Sequence, residues 1–355
     1  MLKPKQLFAA LAAGAILLTA GCQSAQAAAN ATDTADTVTI TAQAETAQAA
    51  AVQLSAEAYS DRDLDASYDA SEATAVDLST VSGDYTINAA GVYVFSGTLA
   101  DGSIVVNAGE DDKVQIVLAN ASITNSDRPA IYAVAADKVF ITAEAGTTNT
   151  LADGSSYATD TFGNNPDGAI FARCDLTLNG TGTLAVDGNY KFGIVGKDDV
   201  VIANLSLQVN AVSDGIVGKD SVSIGSGTVD IVSGGDGIVS ENSEDATQGN
   251  VLIDGGTITI QTGGTGADSA KGIKAQAVLA VNGGDITINS EDDALHSATA
   301  VTITSGTLLL SAGDDGIHSD DLVAISGGDI TVSGSYEGVE GGTITVSDGT
   351  IDVTA

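Results

Sequence analysis

Tryptophan is absent from this 355-residue chain, proline occurs three times, methionine once, and cysteine and histidine twice each. Phenylalanine and tyrosine together number 14. A layered core built on large rings is therefore excluded, and so are the indole platforms on which flat neutral sugars such as cellulose stack. Positive charge is equally scarce. Twelve Lys and Arg stand against 47 Asp and Glu, a formal net charge of −35. Such a chain repels nucleic acid and anionic lipid headgroups, so no nucleic-acid partner is expected. There is no zinc-type Cys/His spacing, HExxH helix, phosphate loop or nucleophile motif. After residue 21 no apolar run reaches the roughly 20 residues of a membrane span.

What is abundant is glycine, at 42 residues, within Val/Ile/Thr-rich text that reads as many short strands joined by tight turns. The first 22 residues read as a lipoprotein signal peptide. Lys3 and Lys5 precede an apolar stretch from Leu7 to Ala20, and Leu18-Thr19-Ala20-Gly21-Cys22 is similar to a bacterial lipobox with its Leu one position early. Cys22 is the expected lipidation site, which places the mature protein on the extracellular face of the bacterial membrane, held by its lipid anchor. Cys174 is then a lone thiol and no disulfide is expected. Residues 23–75 are Ala, Thr, Gln, Ser and Asp with few large apolar side chains, and are expected to form a flexible stalk.

From residue 76 a repeat emerges. Gly193-Ile194-Val195-Gly196-Lys197-Asp198 recurs at Gly215, Gly237, Gly272, Ala294, Gly316 and Gly338, at spacings of 22, 22, 35, 22, 22 and 22. Each unit holds about three short alternating runs and no helical period. The geometry that fits is an all-β, right-handed parallel β-helix of about 22 residues per coil, with roughly 12 coils and a length on the order of 60 Å over residues 76–355. Ile194, Ile216, Ile238, Ile273, Leu295, Ile317 and Val339 should form one internal ladder. A propeller would need longer blades and antiparallel pairs. The spacing of 35 contains an acidic excursion, Glu241–Gly249, and a second excursion spans Asp153–Pro166. The last coil stops where another Asp-Gly-Ile turn is due, so truncation at the carboxyl end is expected.

On such a fold, sequence offset becomes a column in space. The residue before each Gly position reads Phe192, Asp214, Asp236, Lys271, Asp293, Asp315, Glu337. With Asp292 and Asp314 one place earlier, and Asp320 and Asp321 one turn on, carboxylates crowd adjacent coils. Stacked carboxylates repel unless protonated or bridged. Hard oxygen ligands at this density suit Ca²⁺, so Asp214, Asp236, Asp292, Asp293, Asp314, Asp315, Asp320 and Asp321 are the candidate metal ligands. The same pattern also serves solvated Asp-Gly turns. Arg173, Lys197 and Lys219 stack as a basic column, with Lys191 near its start, and are the candidate ligands of a linear polyanion. Surface ion pairing with neighbouring acids is the plainer use of such a column. His296 and His318 lie 22 apart and stack, either in a metal site or solvated beside Asp.

Asp167-Gly168-Ala169-Ile170-Phe171, Gly193-Ile194-Val195-Gly196-Lys197-Asp198-Asp199, Asp314-Asp315-Gly316-Ile317-His318-Ser319-Asp320 and Tyr336-Glu337-Gly338-Val339-Glu340-Gly341 carry a resemblance to a known family. The sequence resembles the secreted carbohydrate-binding-domain proteins of clostridia over about residues 76–355. Cys174 and Ala294 depart from the pattern, standing where sister coils have Asp and Gly. The resemblance implies a right-handed β-helix, bound calcium and affinity for polygalacturonate-like, pectin-type polymers. The expected function is thus a monomeric, non-catalytic binder of acidic polysaccharide. The alternatives are a β-helix polyuronate lyase, with Lys197 or Arg173 as base, and a structural adhesin or spacer.

Overall fold

The computed structural model describes residues 33–264 and 269–354, with side chains described from residue 43. The chain divides into two units, 1–38 and 39–355. Of the first, only the helical residues 33–38 are described, so Cys22 and its lipobox lie outside the described residues.

The second unit is a parallel β-helix of about 12 turns with about 23 residues per turn. Among the described residues 28 strands join one sheet, and every described pairing is parallel, which removes the propeller. A representative coil runs through strands Phe192–Gly196, Asp199–Ala203 and Leu205–Ala211. Each pairs with its counterpart one coil on, Ile216–Gly218, Ser221–Ile224 and Gly227–Ser233.

Alternation dictates the core. Ile194 pairs in register with Ile216, then Ile238, Ile273, Leu295, Ile317 and Val339. The ladder also extends backward through Ile170 and Ile131 to Ile104. From Ile104 to Ile317 it is wholly buried. Val200–Val222–Val251 and Leu207–Val229–Ile258 build the other two walls. A β-branched residue stacked on its own kind fills each rung without the aromatic bulk that the composition lacks. Buried Gln115, Thr142 and Asn179 form a hydrogen-bond chain across neighbouring coils, Gln115 donating to Thr142 and Thr142 to Asn179.

The segment expected to be a flexible stalk is structured where it is described. Asp33–Glu57 is a helix. Its small side chains lie on the outer face of the middle strands: Ala51 packs with Leu252 and Ala280, and Ala44 and Ala47 with Ala300, Leu322 and Ala324. Ser55 Oγ donates to Asp254 Oδ2 at 2.7 Å. The cause is the sheet rather than the helix: these coils present outward Leu and Ala that alternation leaves uncovered, and an Ala surface lets a helix approach closely. Beyond it Asp63 is almost fully buried, ion-paired to Lys138 at 2.7 Å and accepting from Thr177, while Arg62 lies 4.6 Å from the centre of the Phe140 ring.

The 35-residue interval also differs in detail. Glu241–Gly249 does leave the rod between Ile238–Ser240 and Asn250–Ile253, anchored by Asn242 Nδ2 donating to Asp220 Oδ1 at 2.6 Å. A second lengthened connection follows Thr257–Thr262 and ends at Ile273–Ala275. The extra length is divided between two corners of one coil, so the ladders on either side keep their register.

Candidate functional site

One outer strip of the rod concentrates the chemistry. Its first column runs through the residue two places after each Gly position: Tyr132, Phe171, Val195, Val217, Val239, Lys274, His296, His318 and Glu340, each in register with the next. The first five form an apolar cluster outside the main core. The last four are polar and ionisable.

The column before the Gly position lies beside it. Here the carboxylates do structural work. Asp214 Oδ1 accepts the Asp236 amide at 2.9 Å, Asp236 Oδ1 accepts the Lys271 amide at 2.7 Å, and Asp293 Oδ1 accepts the Asp315 amide at 3.1 Å. Each acid thus caps the backbone of the next coil. Lys271 Nζ lies 2.8 Å from Asp292 Oδ2 and 2.7 Å from Asp293 Oδ2. The repulsion for which a cation was expected at these two residues is therefore met by an ammonium and by backbone donors. Burial raises the Asp293 pKa, but hydrogen bonds from His296 and Lys271 outweigh it and hold the group well below the usual carboxylate range. Burial and the neighbouring Asp236 push Asp214 up to about 6, and burial with the Glu340 contact pushes Asp315 up to about 7.

Of the other expected metal ligands, Asp314 is exposed but close to Asp292 and Asp293. Asp320 is exposed and lies 3.5 Å from His318. Asp321 is exposed and joins no cluster of potential ligands among the described residues. Sequence reasoning missed a second acidic set, Asp175, Asp198 and Asp199. Burial and a hydrogen bond with Asp220 push Asp198 up to about 7. Cys174, Asp198 and Asp220 directly follow Arg173, Lys197 and Lys219 and so stack in sequence, but Asp175 and Asp199 each lie one residue further on, and only the pairing of Asp175–Gly180 with Asp199–Ala203 brings that offset together.

The basic residues sit on consecutive coils, each one position past a paired rung: Arg173 after Ala172, Lys197 after Gly196, Lys219 after Gly218. Arg173 Nη1 donates to Asn164 Oδ1 at 2.6 Å, tying the Asp153–Pro166 excursion to the column. Lys197 Nζ lies 5.6 Å from the centre of the Phe171 ring. Lys219 makes only a loose 3.9 Å approach to Glu244. Lys191 stands 5.5 Å from the Tyr190 ring, which itself stacks on Tyr157 at 4.4 Å.

Fold and strip together define a parallel β-helix with one chemically differentiated outer face. The chain matches the model of a family described as carbohydrate-binding domain-containing protein over residues 81–269 and 262–316. A protein of that description from Acetivibrio thermocellus is 41% identical over 213 residues, which cover 59% of this chain and 74% of the relative. The chain belongs to this carbohydrate-binding domain family. Among solved structures, the polysaccharide lyase-like protein from C. thermocellum, determined as a gadolinium derivative, is similar with a TM-score of 0.57 and 28% identity, over 79% of this chain and 98% of that one.

Proposed function

We propose that this chain binds acidic, polygalacturonate-like polysaccharide along the outer strip without cleaving it. It does so at the outer face of the cell membrane, to which Cys22 is lipid-anchored. The observation that carries this reading is the column Arg173–Lys197–Lys219. Three cations rise one coil at a time, about 4.8 Å apart, a step comparable with one sugar unit of an extended polymer. The net charge of −35 does not forbid this. At physiological ionic strength the screening length is about 8 Å, so a bound uronate responds to the nearest cations rather than to the whole rod. The absence of tryptophan fits recognition by charge better than by stacking.

Calcium belongs to the same reading. The set that suits it is Asp175, Asp198 and Asp199, whose carboxylates converge within 4.8 Å and offer oxygen donors alone. Asp292 and Asp293 suit it less, because Lys271 already neutralises them. Bound calcium would supply a bridge between these carboxylates and those of the polymer.

The test is retention on a polygalacturonate gel, with and without a chelator, of wild type and of Lys197→Glu combined with Lys219→Glu. Wild type should be retained and the variant should elute early with an unchanged circular dichroism spectrum. Equal retention of both would remove the site. A lyase reading is favoured by one observation, the acid/base-bearing cluster of Lys271, Asp293 and His296. It predicts unsaturated uronides absorbing in the ultraviolet, which a binder does not release.

A further inference from the structure

The titratable end of the strip is not explained by polyanion binding. Lys271-Gly272-Ile273-Lys274, Asp293-Ala294-Leu295-His296, Asp315-Gly316-Ile317-His318 and Glu337-Gly338-Val339-Glu340 are the same four-residue turn on successive coils. In the middle two, an acid and an imidazole three residues apart face one another, and the register stacks the pairs. The imidazole rings lie 4.9 Å apart between centroids.

We propose that Asp293, His296 and His318 form a binding site for a divalent transition metal ion of the zinc class, with Asp315 at its edge beside His318. The donor spacing carries the argument. Asp293 Oδ2 lies 2.9 Å from His296 Nδ1 and 3.5 Å from His318 Nδ1, and Asp315 Oδ2 lies 3.2 Å from His318 Nδ1. Zinc bonds of about 2.0–2.1 Å in a tetrahedron place neighbouring donors about 3.3 Å apart. The donors of Asp293, His296 and His318 all lie within 4.8 Å of one another, so small side-chain movements close them around one ion. Two ring nitrogens among the donors select against Ca²⁺ and Mg²⁺, which take oxygen, and for Zn²⁺ and its neighbours. A second, independent observation points the same way. Asp315 is 2% exposed, and its Oδ1 is buried with no hydrogen-bond partner. A buried carboxylate oxygen without a donor is costly, and a cation that draws the Asp315 carboxylate toward His318 would relieve that cost. His296 and His318 keep part of their surface open, which leaves an entry path. On the outer side, Asp320 Oδ1 lies 3.5 Å from His318 Nε2, the usual place for a carboxylate that orients a liganding imidazole.

Lys271 is the built-in competitor. Its Nζ shares Asp293 Oδ2 with the proposed ion, and Asp292 offers it an alternative partner at 2.8 Å. Metal entry would move the ammonium onto Asp292 alone.

The experiment uses the full chain, stripped with chelator, titrated calorimetrically with ZnCl2 and separately with CaCl2 at neutral pH. One zinc per chain should bind, and Co²⁺ in its place should give the visible absorption of a low-symmetry, nitrogen- and oxygen-ligated ion. His296→Gln combined with His318→Gln should weaken zinc at least tenfold while leaving calcium binding and the circular dichroism melt unchanged. Lys271→Met should tighten zinc, which a merely structural cluster would not do. Failure of wild type to saturate with zinc below millimolar concentration overturns the proposal. So does equal zinc affinity in the double histidine variant. Neither result depends on retention by polygalacturonate, so this site and the polysaccharide strip stand or fall separately.

Discussion

Asp63 offers a quantitative handle on the segment that precedes the rod. Its carboxylate is 1% exposed and takes four contacts: Lys138 Nζ at 2.7 Å, Thr177 Oγ1, the Ser60 amide at 2.8 Å and Ser60 Oγ at 2.7 Å. Asp63→Ala removes one partner of a buried ion pair and leaves the Lys138 ammonium, itself largely covered, without a counter-charge. Such removals cost about 3–5 kcal/mol. Because a solenoid opens coil by coil, the loss should appear locally rather than as a shifted global melt. The assay is amide exchange and limited proteolysis over residues 58–73 at neutral pH, where protection should fall by two orders of magnitude or more, about 2.7 kcal/mol at about 1.36 kcal/mol per factor of ten. The pH dependence has a definite sign. Burial raises the Asp63 pKa, but the bonds from Lys138 and Thr177 outweigh it and the folded value lies below the ordinary one. The contribution is thus complete above about pH 4, the ordinary carboxylate value, and is lost as pH falls through the lower folded value. Lys138→Met added to Asp63→Ala should recover part of the loss, since no charge is then stranded. If Asp63→Ala leaves residues 58–73 as protected as in wild type, the clamp does not hold this segment and the reasoning fails.

Two further outcomes follow from the core. Ile216→Ala empties a fully buried rung of the Ile194–Val339 ladder and should cost about 2–5 kcal/mol, read as lost amide protection in coils 192–240 with the distant coils unchanged. Cys174 is buried, and burial with the neighbouring Asp175 pushes its thiol up to about 12, so a maleimide at neutral pH should label it only after denaturation. Rapid labelling of native protein would contradict its placement.

The ladder from Ile194 to Val339 was legible because a constant offset in sequence is a constant position on a coil. The helix Asp33–Glu57 was not. Its text carries no apolar stripe, and what docks it is the outward Ala280, Ala300 and Ala324 of distant coils, a pairing of small residues with no period to read. The site divides in the same way. The acidic and basic columns followed from offset, as did the stacking of His296 on His318. That Lys271 would reach Asp292 and Asp293 depends on a side-chain direction across coils, and the spacing of 35 before it conceals its register. The convergence of Asp293, His296 and His318 likewise exists only once the turns are folded.

The outer column that begins with Tyr132 and Phe171 and ends with His318 and Glu340 changes character once along its length. A rod of identical coils would look the same after sliding by one step. This one does not, so it has a direction. A linear polymer laid on it head-to-tail and the same polymer reversed are different complexes, and a polymer displaced by one coil trades an apolar neighbour for a charged one. Because each coil touches only its neighbours, duplicating a coil near Val217 would lengthen the apolar reach without disturbing the imidazoles. The same mutation near His296 would break the stacked pair. The two ends of the strip are thereby free to change at different rates while sharing one backbone.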